Sequence, residues 1–329
     1  METIWLWIGF IALVMVFLAL DLGVFNRKAH VIGIREAVRW TIVWIVMAML
    51  FNIAVYFMYK HHLFGIGTHH GHVDLDGTQA AVKFFTGYII EKSLSLDNIF
   101  VISMVFTFFG VPAIYQHRVL FWGILGALVM RGVMIGIGTT ALHWFSGWMN
   151  YVFGLILIFT ALKMMFVKHE EVHPEKNPLV RLAKRFFPVT GDYHGEKFFV
   201  RLDGRLFLTP LFLVLLVVES MDVVFAVDSI PAIFAITTDP FIVFTSNIFA
   251  ILGLRSLYFA LAAMIRQFRY LKQSIIVILL YVGCKMMVLH HIEAHGLSNT
   301  MTWVSLGVIL CVMGIGVVAS LAKGRTTSP

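Results

Sequence analysis

Nine long apolar segments, separated by shorter polar ones, dominate the pattern of the sequence. A helix needs about 20 apolar residues to cross a hydrocarbon core of about 30 Å, and inside lipid each segment must satisfy its own backbone polar groups. The pattern therefore predicts an all-α polytopic membrane protein with about nine transmembrane helices, forming a single membrane domain over residues 1–329. The predicted spans lie near residues 4–25, 40–59, 80–110, 118–140, 146–167, 207–236, 241–264, 273–290 and 302–322.

Composition and charge agree with this prediction. The chain is 60% hydrophobic and 13% charged, whereas soluble domains carry about 25% charged residues. The loop lysines and arginines behind the net charge of +7 collect in alternate loops. Loops rich in lysine and arginine face the cytoplasm, so we expect the N-terminus outside, the C-terminus in the cytoplasm and no nucleic-acid partner. These basic residues are Arg27, Lys28, Arg35, Arg39, Lys168, Lys176, Arg181, Lys184, Arg185, Lys197, Arg201, Arg205, Arg266, Arg269, Lys272, Lys323 and Arg325.

Two parts of the chain resemble each other. Three charged features recur in the same order at offsets of 125, 124 and 122 residues. Each part holds three spans, an odd number, so the second enters the membrane from the opposite side. We therefore expect an inverted repeat, an architecture typical of secondary transporters, with residues 80–167 and 207–290 as its halves and 168–206 as a cytoplasmic loop. The matching positions are Ser95 and Asp97 with Ser220 and Asp222, Arg131 with Arg255, and Lys163 with Lys285.

Acidic residues within the third and sixth spans are the candidates for a binding site. A charge at the centre of a membrane helix costs roughly 2.5–3.5 kcal/mol, and such residues usually serve a function. Their oxygen atoms suit hard cations such as Mg²⁺, Ca²⁺ or Mn²⁺. The candidate metal ligands are Glu91, Asp97, Asn98, Glu219, Asp222 and Asp228, with Ser95, Ser220 and Ser229 as supporting ligands.

The alternative is that these carboxylates only form ion pairs, because the spans hold as many basic residues as carboxylates. Two acidic clusters at similar depth in inverted helices favour a binding site. Glu91 and Asp97 are six residues apart, about 240° around a helix, so both can face one site only if the helix is distorted. Gly87 and Pro231 are candidate points of distortion. The candidate counter-charges are Lys92, Arg131, Lys163, Arg255 and Lys285.

Three further features lie outside these clusters. Asp21, at the cytoplasmic end of the first span, either pairs with Arg27 and Lys28 or forms a gate contact. Cys284 and Cys311 have no zinc or CxxC spacing and are expected to pack between helices. Histidines in two outer loops either bind a metal or lie at the interface, and both interpretations stay open. These histidines are His61, His62, His69, His70, His72, His290, His291 and His295.

Three segments resemble signatures of the TerC family of integral membrane proteins, and the resemblance extends over about 320 residues. They are FLALDLGVFNRKAH at 17–30, EKSLSLDNIFVI at 91–102 and VESMDVVFAVDSIPAIFAIT at 218–237. The resemblance implies a bacterial inner-membrane protein of a superfamily that includes amino-acid and metal exporters. It also implies Mn²⁺ export, a historical link to tellurite resistance, and a site formed by the acidic motif residues named above.

The leading hypothesis is an exporter of divalent cations, most readily Mn²⁺, that works by alternating access and needs no prosthetic group. One alternative is another substrate, such as an amino acid or a tellurium-related anion. A second alternative is a factor that helps other membrane proteins to assemble or acquire metal through the 168–206 loop. An enzyme is not expected, since no nucleophile motif or nucleotide-binding loop is present.

Overall fold

The computed structural model describes residues 2–23, 33–67, 75–145, 148–166, 177–262, 270–293 and 298–324. In these ranges the chain forms eleven α-helices, a short 3₁₀ turn at Leu63–Gly65 and one β-hairpin. The helices before the hairpin are α1 (Glu2–Gly23), α2 (Ile34–Lys60), α3 (Gly77–Phe109), α4 (Ala113–Trp144), α5 (Trp148–Phe166) and α6 (Pro178–Phe186). The hairpin consists of β1 (Phe199–Leu202) and β2 (Arg205–Leu208). It is followed by α7 (Pro210–Phe234), α8 (Pro240–Leu252), α9 (Leu254–Ala262), α10 (Leu271–Glu293) and α11 (Ser298–Gly324).

Most of these helices can cross a membrane. Within the described ranges, six are long and apolar enough, namely α2, α4, α5, α7, α10 and α11. A seventh candidate is the pair α8 and α9, which is bent by 41°. In α1 the apolar helix Ile4–Leu20 is shorter, and the 33-residue α3 carries several charges. The all-α polytopic membrane fold is therefore confirmed, while nine spans in an inverted repeat stay a prediction.

Local sequence signals set the ends of the helices that matter most below. The Asp76 carboxylate accepts a hydrogen bond from the Thr78 amide at 3.2 Å where α3 begins, and Gly110 ends that helix at φ +60°, a conformation that glycine adopts without cost. Asp239 accepts from the first two free amides of α8 at 2.9 and 3.1 Å, with Pro240 at the first helical position. These caps satisfy amides that would otherwise lack partners.

A break in the third or sixth span is not found among the residues that the structure describes. Both α3 and α7 run without interruption, and Pro231 lies only three residues before α7 ends at Phe234. A proline so close to the end removes one backbone hydrogen bond without dividing the helix. The break lies instead in the seventh span, at Gly253 between α8 and α9.

The segment predicted as a loop at 168–206 contains structure in its described part. Helix α6 is followed by the hairpin, whose two-residue turn, Asp203 and Gly204, has φ +49° and +76°, the positive values that a tight hairpin turn needs. Burial raises the pKa of the Tyr193 phenol, and its hydroxyl donates to the Phe109 carbonyl at 2.8 Å. The hairpin region is thereby attached to the end of α3, and the rings of Tyr193 and Tyr115, 6.4 Å apart, link it to the start of α4.

Helix packing is reciprocal between the two predicted halves. Helix α3 packs against α8, α4 packs against α7, and α5 packs against α10. Between α5 and α10 the backbones approach closely, since a Cβ on either Gly154 or Gly283 would lie 3.0 Å from the carbonyl oxygen of the other. Helices α1 and α2 cover one side through an aromatic cluster in which Phe51 stacks on Phe249 of α8 at 4.6 Å. Glu91 of α3 and Arg131 of α4 are buried inside this bundle.

Candidate functional site

A single buried arginine connects four helices. Arg131 of α4 exposes 1% of its side chain. Its guanidinium donates to the Glu91 carboxylate on α3 and the Asp222 carboxylate on α7. It also donates to the hydroxyl of Ser229 on α7 at 3.5 Å and to the amide oxygen of Asn247 on α8 at 2.9 Å. We call these five residues the Arg131 cluster.

The two carboxylates hold Arg131 in different ways. Asp222 accepts from two guanidinium nitrogens, with Nε to Oδ2 at 3.3 Å and Nη2 to Oδ1 at 3.0 Å, the two-point geometry that makes arginine–carboxylate pairs strong. Glu91 accepts from Nη1 alone. The Glu91 side chain is fully buried, whereas Asp222 is 14% exposed. Asp222 is therefore the carboxylate of the cluster with access to space beyond it.

Asn247 completes the hydrogen bonding around Glu91. Its Nδ2 donates to the second Glu91 oxygen at 3.4 Å, while its Oδ1 accepts from Arg131. All three side chains are buried, and a buried charge is tolerated only when it is paired and hydrogen-bonded. Two carboxylates around one guanidinium give the cluster a formal charge of −1.

A small cavity adjoins the cluster. Its volume is about 20 Å³, enough for one water molecule or one ion. Asn98 and Asp222 are its polar lining residues. Apolar or small residues form the rest of the wall, among them Gly123 and Ala127 of α4. The structure thereby brings two of the predicted ligands to one partly open cavity.

Glu219 lies one helical turn from Asp222, against a glycine. A Cβ on Gly126 of α4 would lie 2.0 Å from the Glu219 Oε1 atom, so any larger residue there would displace this carboxylate. The half-buried Glu219 interacts electrostatically with Asp222. Ser220, its neighbour, accepts a hydrogen bond from the Asn177 amide and donates to the Val217 carbonyl at 2.8 Å.

Asp228 lies six residues after Asp222 on α7 and belongs to a separate cluster. Its Oδ1 accepts from the Thr160 hydroxyl of α5 at 2.6 Å, and Lys163 lies within electrostatic range. Two other predicted counter-charges donate to backbone carbonyls: Lys92 to Ala250 at 3.2 Å and Lys285 to Ala235 at 3.2 Å. Arg131 is therefore the predicted counter-charge that pairs with Glu91 and Asp222 in the Arg131 cluster.

The predicted site residues thus divide into groups. Glu91, Asp222 and Ser229 meet at Arg131, Asn98 lines the adjoining cavity, and Glu219 lies beside them. Asp97 on α3 is half-buried and Arg255 on α9 is buried, and each has interaction partners. The Ser95 hydroxyl is buried without a hydrogen-bond partner in the described part of the chain. Among the described residues, no three His, Cys, Asp or Glu side chains form a metal cage.

Sequence reasoning missed three residues of this region: Asn247, Thr160 and Gly126. An amide inside the apolar run of α8 was a usable signal, since polar groups in membrane helices need partners. Nothing in the sequence pointed to Gly126, whose role depends on which helix lies opposite. The sequence also contains an HExxH spacing at 169–173, a pattern that binds zinc when both histidines share a helix, but those residues lie outside the described part.

Several other predicted residues also lie outside the described side chains, including Asp21 and most of the outer-loop histidines. Of the two that can be described, His61 is exposed, and His62 Nδ1 lies 3.3 Å from the Ile66 carbonyl oxygen. The expectation for the cysteines is wrong, because Cys284 and Cys311 are both exposed. On membrane helices an exposed thiol costs little, so an apolar run does not reveal which residues pack inward.

The fold and the buried charges define the class as an all-α integral membrane protein with an ion-pair network inside its transmembrane bundle. The chain belongs to the TerC family: the profile described as "Integral membrane protein TerC family" matches residues 76–328. A membrane protein of Myxococcus xanthus, STKORF319, described as uncharacterized, is 47% identical over 97% of this chain and 93% of its own length.

Two further relatives carry the name Alx. The proteins of Escherichia coli K12 and Photorhabdus laumondii, each described as a "putative membrane-bound redox modulator", are 44% and 41% identical. The matches cover 94% of this chain and 91% of the E. coli protein, and 96% of this chain and 94% of the P. laumondii protein. No solved structure matches the chain.

Proposed function

We propose that the protein is a bacterial inner-membrane exporter of divalent cations, with Mn²⁺ as its preferred substrate. The observation that carries the proposal is the Arg131 cluster, in which a buried carboxylate, Glu91, and a partly exposed one, Asp222, hold one guanidinium next to a cavity the size of one ion. Carboxylate, amide and hydroxyl oxygens are the ligands that hard divalent cations prefer.

In this mechanism Arg131 acts as a tethered cation that fills the site when no substrate is bound. A divalent ion entering beside Asn98 meets Asp222 first, because this carboxylate lines the cavity and is partly exposed. Displacement of the guanidinium would leave Glu91 and Asp222, whose two negative charges balance one divalent cation. Glu219, next to Asp222 along α7, would supply a further oxygen ligand.

Alternating access requires two halves that can move against each other. The reciprocal packing of α3 with α8, α4 with α7 and α5 with α10 supports an inverted repeat, since contacts across a two-fold axis occur in matched pairs. In such transporters the substrate binds where the halves meet. The Arg131 cluster lies there, because its residues come from two helices of each half.

The orientation of the protein in the membrane is inferred from its basic residues. Arg35 and Arg39 lie at the start of α2, and Arg118 at the start of α4 pairs with Glu196 before the hairpin at 3.2 Å. By the positive-inside rule this end of the bundle faces the cytoplasm, with the N-terminus in the periplasm.

Because the Alx relatives are described as redox modulators, the two cysteines are considered as a thiol pair. Hydrogen bonds between Ser274 and the Val312 carbonyl and between Tyr281 and Ser305 set the antiparallel register of α10 and α11. In that register Cys311 is level with residue 275, nine residues from Cys284, a separation of roughly 13 Å along the axis. A disulfide needs Cα atoms within about 7 Å, so a disulfide between these two cysteines is not expected.

The test is Mn²⁺ flux into liposomes that contain the purified protein and a dye quenched by Mn²⁺. We expect flux with the wild type, a loss of at least tenfold in Asp222→Asn and Glu91→Gln, and normal flux in the matched control Glu196→Gln. Export is checked separately as lower manganese content in cells that express the wild type. Absence of Mn²⁺ flux with the wild type, or normal flux with Asp222→Asn, would overturn the proposal.

A further inference from the structure

Helix α6 lies beside a membrane-spanning helix. Asn177 caps its start, where its Oδ1 accepts from the Leu179 amide at 2.9 Å, and its Nδ2 donates to Ser220 of α7. Ser220 is ten residues into α7, roughly 15 Å from the start of that helix. At the other end, the Pro188 carbonyl accepts from the Leu208 amide at 2.9 Å, two residues before α7 begins. The nine residues of α6 therefore run antiparallel to the first half of the α7 span.

One face of α6 is docked and the rest is exposed. Val180 is buried among the side chains of α7, with Ala183 packed against the same core. Leu179, Leu182 and Phe186 are spaced three and four residues apart, which puts them on one strip of the helix. They are 40%, 53% and 69% exposed. This apolar strip has no counterpart to cover it in the described part of the chain.

The remaining arc of α6 is basic. Arg181, Lys184 and Arg185 are exposed and lie on the side away from the apolar strip, and the helix contains no acidic residue. They lie in the C-terminal part of α6, which is near the start of α7. We call the apolar strip and these three residues together the α6 surface.

Because α7 is apolar enough to span the membrane from Pro210 onward, the region outside α6 at this level is the edge of the bilayer. An apolar strip there buries itself among acyl chains, and long basic side chains extend to the headgroups. Basic side chains attract anionic headgroups over zwitterionic ones. We infer that the α6 surface is a binding site for an anionic phospholipid. The inference does not depend on the transported substrate.

The experiment uses a bimane fluorophore attached to Leu182→Cys in a Cys284→Ser, Cys311→Ser background, since both native thiols are exposed. The protein is placed in phosphatidylcholine liposomes containing a small fixed fraction of lipid brominated on its acyl chains, either phosphatidylglycerol or phosphatidylcholine. Bromine quenches bimane only on contact. A second label at Ile137→Cys, on a 64% exposed position of α4, reports ordinary lipid contact and correct insertion.

We expect brominated phosphatidylglycerol to quench the Leu182→Cys label roughly fivefold or more above brominated phosphatidylcholine. The ratio should fall to about one in Arg181→Gln, Lys184→Gln, Arg185→Gln. It should persist in Arg181→Lys, Arg185→Lys, which keeps the charge. The Ile137→Cys label should be quenched equally by both lipids throughout.

Two results would overturn the inference. Absence of quenching at Leu182→Cys by either lipid, with normal quenching at Ile137→Cys, would mean that a second copy or another part of the chain covers the strip. Equal quenching by both lipids in the wild-type sequence would mean lipid contact without selection for negative charge.

Discussion

Replacing Arg131 by glutamine should destabilise the protein and make its stability depend on divalent cations. The change leaves the carboxylates of Glu91 and Asp222 without their shared cation, and the exposed fractions of the three side chains are 1%, 0% and 14%. Removing one partner of a buried ion pair costs about 3–5 kcal/mol. Such a loss of free energy corresponds to a decrease of the melting temperature on the order of 10 °C.

The assay is thermal unfolding of the purified protein in detergent, followed by intrinsic fluorescence, with and without Mn²⁺. If the freed carboxylates bind the ion, Mn²⁺ at 100 times its dissociation constant should restore about 2.7 kcal/mol. Arg118→Gln is the matched control. Its pair with Glu196 is 36% and 31% exposed, and such surface pairs contribute about 0–1 kcal/mol.

A triple variant separates charge from packing. Glu91→Gln, Arg131→Gln, Asp222→Asn keeps the volumes similar while removing every charge, so it should recover most of the lost stability and lose the response to Mn²⁺. A triple variant as unstable as Arg131→Gln would show that the guanidinium matters through packing. An Arg131→Gln protein that melts within one or two degrees of the wild type would refute the reasoning from buried charge.

Two further predictions concern neighbours of the cluster. Asn247→Leu keeps the volume of the side chain but leaves the second oxygen of Glu91 without its donor, and should cost about 1–3 kcal/mol in the same thermal assay; a cost near zero would mean that water replaces the amide. Gly126→Ala should displace the Glu219 carboxylate and reduce Mn²⁺ flux severalfold, because the new Cβ would lie 2.0 Å from Oε1. Gly136→Ala, with nothing within 4 Å, is the matched control, and equal flux in the two variants would contradict the proposed role of Glu219.

Hydrophobic patterning was a reliable guide to the membrane helices. Boundaries such as 80–110 and 118–140 correspond to α3 at Gly77–Phe109 and α4 at Ala113–Trp144, because lipid imposes both an apolar surface and a minimum length. Patterning failed within the predicted loop at 168–206, which contains α6 and most of the hairpin. Those elements are short, and only single residues of them, such as Val180 and Leu208, are buried against the bundle.

For the site, the sequence identified the charged residues but not their pairing. Glu91, Arg131 and Asp222 are each conspicuous as charges in apolar runs, yet five candidate cations competed for the carboxylates, and spacing along one helix cannot choose among them. The partners of Asn247 became visible only when α8 was found against α3, and the role of Gly126 only when α4 was found against α7.

The sequence by itself determined the membrane fold and the family, since both depend on residues read in order along the chain. Only the tertiary structure decided that Arg131 binds Glu91 and Asp222, that Asp228 belongs to a separate cluster with Thr160, and that α6 lies along α7. The physical reason is that a buried charge is stabilised by whatever group faces it across a helix interface, and that group can be more than a hundred residues away, as Asn247 is from Glu91 and Arg131.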